Sequence, residues 1–412
     1  MNLDGLDLAA VADAHGTPLY LYDLDQAIAH TRALRARLPG EIELFYAVKA
    51  NANRRVLEAF RDEVAGLDLS SGGELALARA AGFPAGVMSF AGPGKSLVEL
   101  RLAIAEGVRL LSIESPTELA RVAELAGELD RTVDVTLRVN PLQIPKEFPM
   151  KMGGQASQFG IPEEEVDAVV HEAQRAARLR LLGFHVFSGT NCLEASAIEK
   201  NVAGTLALCA RLAAAHDLRP EVVNLGGGFG IPYFEGQPEL PPLAAADAVA
   251  SAVAAFRARE PRFAGARFIL ELGRYLIGDF GIYLTRVVDV KETRGKRFAI
   301  LDGGMHHCFP ATGNFGQLIK KNYPIVNLSR PQAPVVAQEL CGPLCTPIDS
   351  MARALELPRA EIGDLIGFLK TGAYAFAASP LLFLSHATPP ELVRLRGRVE
   401  LARPSKPAAA FA

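Results

Sequence analysis

The sequence predicts a (β/α)8 barrel followed by a second, mainly β domain. Three observations carry this. Short, nearly continuous apolar runs alternate with longer amphipathic, alanine-rich segments as far as residue 273. Eight such runs fall within roughly 230 residues, the repeat of a barrel of this kind. From about residue 274 the alternation stops and glycine-punctuated, strand-rich sequence takes over.

The elements follow in order. The early "PLYLYD" (18–23) reads as a strand that joins the later β domain. The barrel runs are "LFYAVK" (44–49), "GLDLSS" (66–71), "VMSFAG" (87–92), "LLSIES" (110–115), "DVTLRVN" (134–140), "LLGFHVFSG" (181–189), "VVNLGGG" (222–228) and "FILELG" (268–273). Strands covered on both faces carry such unbroken apolar stretches. Seven helical segments lie between them, among them "GGELALARAAG" and "SPTELARVAELAGEL", with apolar residues at helical spacing. Then come "GDFGIYLTRVVDVKETRGKRFAILDGGM", "APVVAQELCGPLCTPID" and "EIGDLIGFLKTGAYAF", rich in strands and turns. The expected division is therefore a barrel over 27–273 and a β-rich domain from 1–26 and 274–412, the tail "RPSKPAAAFA" being frayed.

Composition excludes several classes. Half of the 412 residues are apolar, enough for a large core, and the net charge is −3 with no block of like charges. Nothing points to a nucleic-acid or membrane surface. No window approaches the length of an uncharged membrane span, and the N-terminal stretch lacks a basic-then-apolar signal pattern. Five cysteines, an odd and sparse count, suit reduced thiols in the cytoplasm.

In such barrels the C-terminal strand ends build the site. Those ends hold Lys49, Ser71, Arg138, His185 with Ser188, the glycines 226–228, and Glu271. Lys49 has two readings: it snorkels with its ammonium in water, or it is a catalytic amine whose charge a partly apolar pocket disfavours. "NLGGGFG" either turns the chain or lets backbone N–H groups approach a phosphate. Pyridoxal phosphate needs a lysine for its aldehyde, donors for its phosphate, a flat partner for its ring and a partner for its pyridine nitrogen. Lys49, the Gly226–Gly228 loop with Ser188, His185 and Glu271 match those needs. A carboxylate at the nitrogen keeps it protonated and makes the ring a full electron sink.

Six motifs in order make the chain resemble the fold-type III pyridoxal-phosphate decarboxylases, the group of ornithine, arginine and diaminopimelate decarboxylases. The resemblance covers nearly the whole chain. "FYAVKAN" resembles the Schiff-base motif, with Lys49 as its lysine. "LDLSSGGEL" implies Asp68 and Glu74 near the cofactor, and "LRVNP" implies Arg138 at its phenolic edge. "HVFSG" implies His185 as the ring-stacking residue and Ser188 as a phosphate ligand. Gly227, Gly228, Gly273, Arg274 and Tyr374 match further phosphate contacts. "CGPLCTPID" is similar to the motif whose cysteine, here Cys345, crosses from the second subunit of a homodimer and protonates Cα. Thr346 and Asp349 would then face substrate.

Three departures stand out. Leu272 replaces the family's proline before Gly273, and Phe187 replaces a glycine before Ser188. Thr346 stands where the enzymes acting on ornithine or diaminopimelate carry an acidic residue. "KMGGQASQFG", "GGGFGIPYF", "DGGMHH" and "GPLCTP" resemble a branch of antibiotic and siderophore pathways. One member of that branch acts on glutamyl groups tethered to a carrier protein. The resemblance implies an amino-acid or aminoacyl decarboxylase, with an acyl carrier protein among its partners. A free diamino acid (diaminopimelate, ornithine or lysine) is the alternative substrate. A racemase of the same fold places an arginine at the pyridine nitrogen, which Glu271 opposes, and a pyridoxal-phosphate carrier has no use for the extra β domain.

Two motifs are decoys. "GPGKS" (92–96) is similar to a P-loop, but Ser89 stands where its first glycine belongs. "HHC" (306–308) offers adjacent side chains that seldom converge on one ion, and no metal is expected. Cys341 reads as a buried apolar residue.

Overall fold

The computed structural model describes residues 5–313, 315 and 320–411. The chain divides into two units. One comprises His30–Ile231 and Pro238–Tyr275, the other Met1–Ala29, Pro232–Gln237 and Leu276–Ala412. The sequence gives no sign of the excursion at 232–237. Its aromatic side chains explain it: the Tyr233 and Phe234 rings lie 5.0 and 6.4 Å from that of Tyr323.

The first unit is a closed barrel of eight parallel strands, β1 (Ile42–Ala47), β2 (Gly66–Leu69), β3 (Met88–Phe90), β4 (Leu110–Ile113), β5 (Val133–Asn140), β6 (Leu179–His185), β7 (Val222–Gly227) and β8 (Arg267–Leu272). Each pairs with its neighbours in chain order, and β8 returns to β1 with Leu270 opposite Leu44. Phe45, Leu110, Leu182, Val222 and Ile269, from five different strands, form one buried cluster. Burial of each is worth about 1.5–3 kcal/mol, which is why the runs tolerate so few polar residues.

Seven helices connect the strands: α1 (Arg54–Phe60), α2 (Gly72–Ala80), α3 (Leu97–Glu106), α4 (Pro116–Glu128), α5 (Val166–Arg175), α6 (Ala195–Ala215) and α7 (Pro242–Arg257). Ser71, Ser96 and Ser115 cap α2, α3 and α4, each accepting the N–H of the glutamate three residues on. Ser71, a strand-end candidate in the sequence, therefore starts a helix. The long β5–α5 connection holds two short pairings too brief to show as periodicity. Met150–Lys151 runs antiparallel to Gly189–Thr190, and Ile161–Pro162 extends beside β5.

The second unit is built on a nine-stranded sheet. Its central strand Gly281–Thr293 pairs with Leu19–Asp23, Lys296–Leu301 and Leu365–Leu369. The early "PLYLYD" run thus joins this sheet. Leu8, Leu19, Leu21, Ile282, Leu284, Leu365 and Leu392 make its core. Among the described residues, no helix is long and apolar enough to cross a membrane.

Candidate active site

Lys49 sits on the short turn Val48–Ala50 that ends β1. Its Nζ lies 2.8 Å from Asp68 Oδ2, on β2. The Lys49 side chain is 39 % exposed whereas that of Asp68 is wholly buried. Burial raises the Asp68 carboxyl, the Glu271 charge raises it further, and Lys49 pulls it back, leaving it at about 6. Ser89 Oγ approaches the other Asp68 oxygen at 3.4 Å. The lysine is thus neither a solvated stem nor a sealed core charge. It donates to a buried carboxyl and stays open on one side.

Glu271, on β8, is also buried. Asn224 of β7 donates from its amide to Glu271 Oε1 at 2.5 Å. The Asn224 carbonyl oxygen accepts from Gly226 N at 2.9 Å, which orients the amide with its NH2 toward the carboxylate. His185 ends β6, and its Nε2 lies 3.5 Å from Glu271 Oε2, an ionic approach outside hydrogen-bond alignment. Its Nδ1 meets Ser112 Oγ at 2.7 Å, which fixes the ring plane. Burial opposes charge on Glu271, yet His185, Lys49 and Asn224 outweigh it and hold the carboxyl down to about 2. Two carboxyls on the same barrel mouth are therefore driven to opposite ends of the scale, a pattern typical of assigned acid and base roles.

A second buried network backs the first. Arg138 of β5 donates to Glu114 Oε1 at 2.7 Å, with both side chains at most 7 % exposed. Glu114 also accepts from Gly92 N and Gly160 N. Its carboxyl, disfavoured by burial, is held below the usual range by Arg138 and Lys95. Lys95, from the P-loop decoy, is itself buried. It donates to the carbonyls of Gly92 (2.7 Å) and Ser112 (2.9 Å) and lies 2.6 Å from Glu118 Oε1. That last contact is an ion pair without hydrogen-bond alignment. Phe159 and Phe187 cover the guanidinium of Arg138, with ring centres 5.1 and 6.0 Å away.

Ser188 is buried just beyond β6. The glycine loop wraps beside it: Gly226 and Gly228 have φ of +65° and +86°, and a Cβ on Gly228 would stand 2.0 Å from Gly189 O. No other residue fits there. Gly273 is equally confined, with an added Cβ 2.7 Å from Ala50 Cβ, and Arg274 opens the following short helix. Glu74 lies in the first turn of α2 and accepts from Ser70 N at 2.6 Å; burial lifts its carboxyl to about 7.

The other sequence candidates belong to the second unit. Cys345 is exposed on the loop between strands Val335–Cys341 and Ser350–Pro358. Asp349 is buried, and its two oxygens accept from Met305 N (2.6 Å) and Leu344 N (2.9 Å). Its carboxylate packs on Gly304 and Gly342, where any Cβ would stand within 2.4 Å of an oxygen. Asp349 thus clamps the turn that presents Cys345 and Thr346. Tyr374 is half-buried on another loop, its backbone at φ +62° and its ring 6.2 Å from that of Phe315. Sequence reasoning missed Ser112, Asn224, Glu114, Lys95 and Glu118. For Ser112 and Asn224 the available signal was a polar residue inside an apolar strand.

These residues fit pyridoxal phosphate as a donor set. The barrel offers one amine beside a proton acceptor, one carboxylate held ionised with a flat ring beside it, and a hydroxyl next to a glycine cradle that tolerates no side chain.

Comparisons agree. The pyridoxal-binding domain of the pyridoxal-dependent decarboxylases matches residues 24–278. The chain is 37 % identical to an L-glutamyl-[BtrI acyl-carrier protein] decarboxylase of Niallia circulans, over 98 % of this chain and 94 % of that one. It is 32 % identical to the 2-[(L-alanin-3-ylcarbamoyl)methyl]-2-hydroxybutanedioate decarboxylase of Staphylococcus aureus, over 92 % and 94 %. Among solved structures, diaminopimelate decarboxylase from Helicobacter pylori complexed with L-lysine superposes with a TM-score of 0.88 at 25 % identity, over 98 % of both chains.

Proposed function

Since the chain belongs to the family of pyridoxal-dependent decarboxylases, we propose that its substrate is an aminoacyl group whose distal end is tied to a carrier arm, a glutamyl group fitting best. One observation carries this reading. The loop that presents Cys345 has no carboxylate to offer a distal ammonium: Thr346 is neutral, and both oxygens of Asp349 already hold backbone N–H groups. An unpaired buried ammonium costs several kcal/mol, so a free diamino acid finds no partner on this loop. The likeness to a carrier-protein decarboxylase supports the same reading.

When bound, the cofactor supplies an aldehyde for the substrate amine and a ring that accepts the electron pair left on the carbon when carbon dioxide departs. Lys49 would hold the cofactor through its aldehyde, and Asp68, near 6, would accept a proton from an amine beside it. Glu271 would keep a proton on the ring nitrogen, His185 would hold the ring flat, and Arg138 would serve its phenolic edge. Ser188, Gly227, Gly228, Gly273, Arg274 and Tyr374 hold the phosphate. The Cys345 thiol gives a proton to the carbon that has lost carbon dioxide. In this reading the enzyme is a homodimer in which Cys345 of each copy serves the barrel of the other.

The test is release of carbon dioxide from free diaminopimelate, ornithine and lysine, set beside carrier-bound and thioester-linked glutamate. The conjugates should be preferred. A free diamino acid reaching a kcat/KM of about 10⁴ M⁻¹s⁻¹, the low end of the ordinary enzyme range, overturns the substrate assignment.

A further inference from the structure

A groove of about 600 Å³ runs along the second unit's sheet and ends at the Cys345 loop, where Thr346 and Pro347 form part of its wall. Its other walls carry Lys291, Lys296 and Arg353. Glu339 faces the same space and lies 3.3 Å from Lys296 Nζ, so that lysine is already matched. Lys291 and Arg353 have no carboxylate within ion-pairing distance among the described residues. Arg353 donates from Nε only to Ser350 Oγ, at 3.2 Å. Asp349, the remaining acid on the wall, is committed to the backbone of its own turn. The groove therefore carries two cations without a carboxylate partner, Lys291 and Arg353, and a neutral hydroxyl at Thr346.

We infer that this groove binds the phosphodiester and amide chain of a phosphorylated carrier arm, and so sets the enzyme's preference for tethered substrate. The inference rests on the carrier reading above and names the site that reading requires. The chemistry of the arm fits the groups on the wall. A phosphodiester carries a single negative charge and accepts hydrogen bonds in the fork geometry of a guanidinium. The amide chain that follows is neutral and needs polar contact without charge, which Ser350 and Thr346 provide. The thioester end then falls beside Cys345. An acidic side chain at position 346 would oppose such an arm, and a threonine does not.

The test compares three substrates carrying the same aminoacyl group: carrier-bound, joined to coenzyme A, and joined to N-acetylcysteamine, which has no phosphate. In the holoenzyme, Lys291→Glu/Arg353→Glu should raise KM for the two phosphate-bearing substrates at least about tenfold, the scale of lost hydrogen bonds to a charged group. The phosphate-free thioester should change by less than about twofold. Calorimetric binding of 4′-phosphopantetheine should weaken by the same factor, while that of unphosphorylated pantetheine should not. Lys291→Gln/Arg353→Gln, matched to wild type in cofactor absorbance and dimer size, guards against a folding defect from charge reversal. Equal losses on all three substrates, no loss on any, a loss confined to the carrier, or unchanged phosphopantetheine binding overturns the groove assignment and leaves the carrier reading standing. Turnover of a free diamino acid in preference to every thioester instead overturns the carrier reading itself.

Discussion

Replacing Lys95 with methionine should destabilise the barrel by about 3–5 kcal/mol, the cost of removing one partner from a buried ion pair. The Lys95 and Glu118 side chains are 1 % and 9 % exposed, so water cannot replace the lost ammonium. Methionine matches the stem but leaves the Gly92 and Ser112 carbonyls without their donor. Glu118, raised by burial and lowered by Lys95 in the wild type, rises further once the lysine is gone. A carboxyl whose folded pKa exceeds its unfolded value weakens the fold as pH climbs through that window. The deficit should therefore be larger near pH 8 than near pH 5, above and close to the ordinary carboxyl range. Because Ser112 also holds His185, kcat/KM should fall roughly tenfold through misplacement of the ring. The assay is urea unfolding of the holoenzyme at fixed protein and cofactor concentration, since both shift apparent stability. Lys95→Met/Glu118→Gln, which removes both charges, should recover more than half the loss. A deficit below about 1 kcal/mol, a surface-pair value, or one independent of pH would refute the reasoning.

Three further outcomes are expected. Glu271→Gln should retain fold and cofactor but lose about 2–4 kcal/mol of transition-state stabilisation, read as kcat; an unchanged kcat removes Glu271 from the ring nitrogen. Mixing Lys49→Ala with Cys345→Ala subunits should restore up to about a quarter of wild-type activity, because random exchange makes half the dimers mixed with one intact site each; proven mixed dimers without activity would place both residues in one subunit's site. His306 is buried with neither ring nitrogen hydrogen-bonded, and burial, then His307 and His386, lower it to about 3. An unfolded histidine protonates near 6.5, so stability should fall as pH drops from there toward 4, and His306→Phe should flatten that slope in urea midpoints.

What the sequence disclosed depended on how local the signal was. The eight strands showed because each is a short stretch of apolar residues, and Lys49, His185 and Glu271 showed because they interrupt such stretches at one end. Asn224 interrupts its strand as well, but what marks it is its partner 47 positions away on the next strand, which no local pattern records. Lys95 looked like half of a nucleotide motif, and its actual partners come from the next strand and helix. Asp349 is the sharpest case. Its distance from Cys345 in sequence suggested a substrate contact, while the use of both its oxygens depends on the backbone at Met305 and the bare Cα atoms of Gly304 and Gly342. The pairings inside 141–163 were hidden for a simpler reason: two-residue strands have no period.

The arrangement around Lys49 also bears on which reaction the barrel favours. Glu271 is held low by His185 and Lys49, and by Asn224, which Gly226 N fixes so that its donor points at the carboxylate. Lys49 and His185 add their electrostatic pull to that hydrogen bond, so in the proposed reading a protonated ring nitrogen would meet an ionised carboxylate. An arginine in that place would repel the proton and leave the ring a weaker acceptor, the arrangement suited to moving a proton without losing carbon dioxide. Asp68, held near 6 by burial and the Glu271 charge, completes the division: one carboxyl stays charged to draw electrons while the other stays able to exchange a proton with the amine. Exchanging the two environments would cost the electron sink and the proton acceptor together. In the proposed reading, the pairing of a low carboxyl and a high one beside a single lysine favours decarboxylation more than any one residue taken alone.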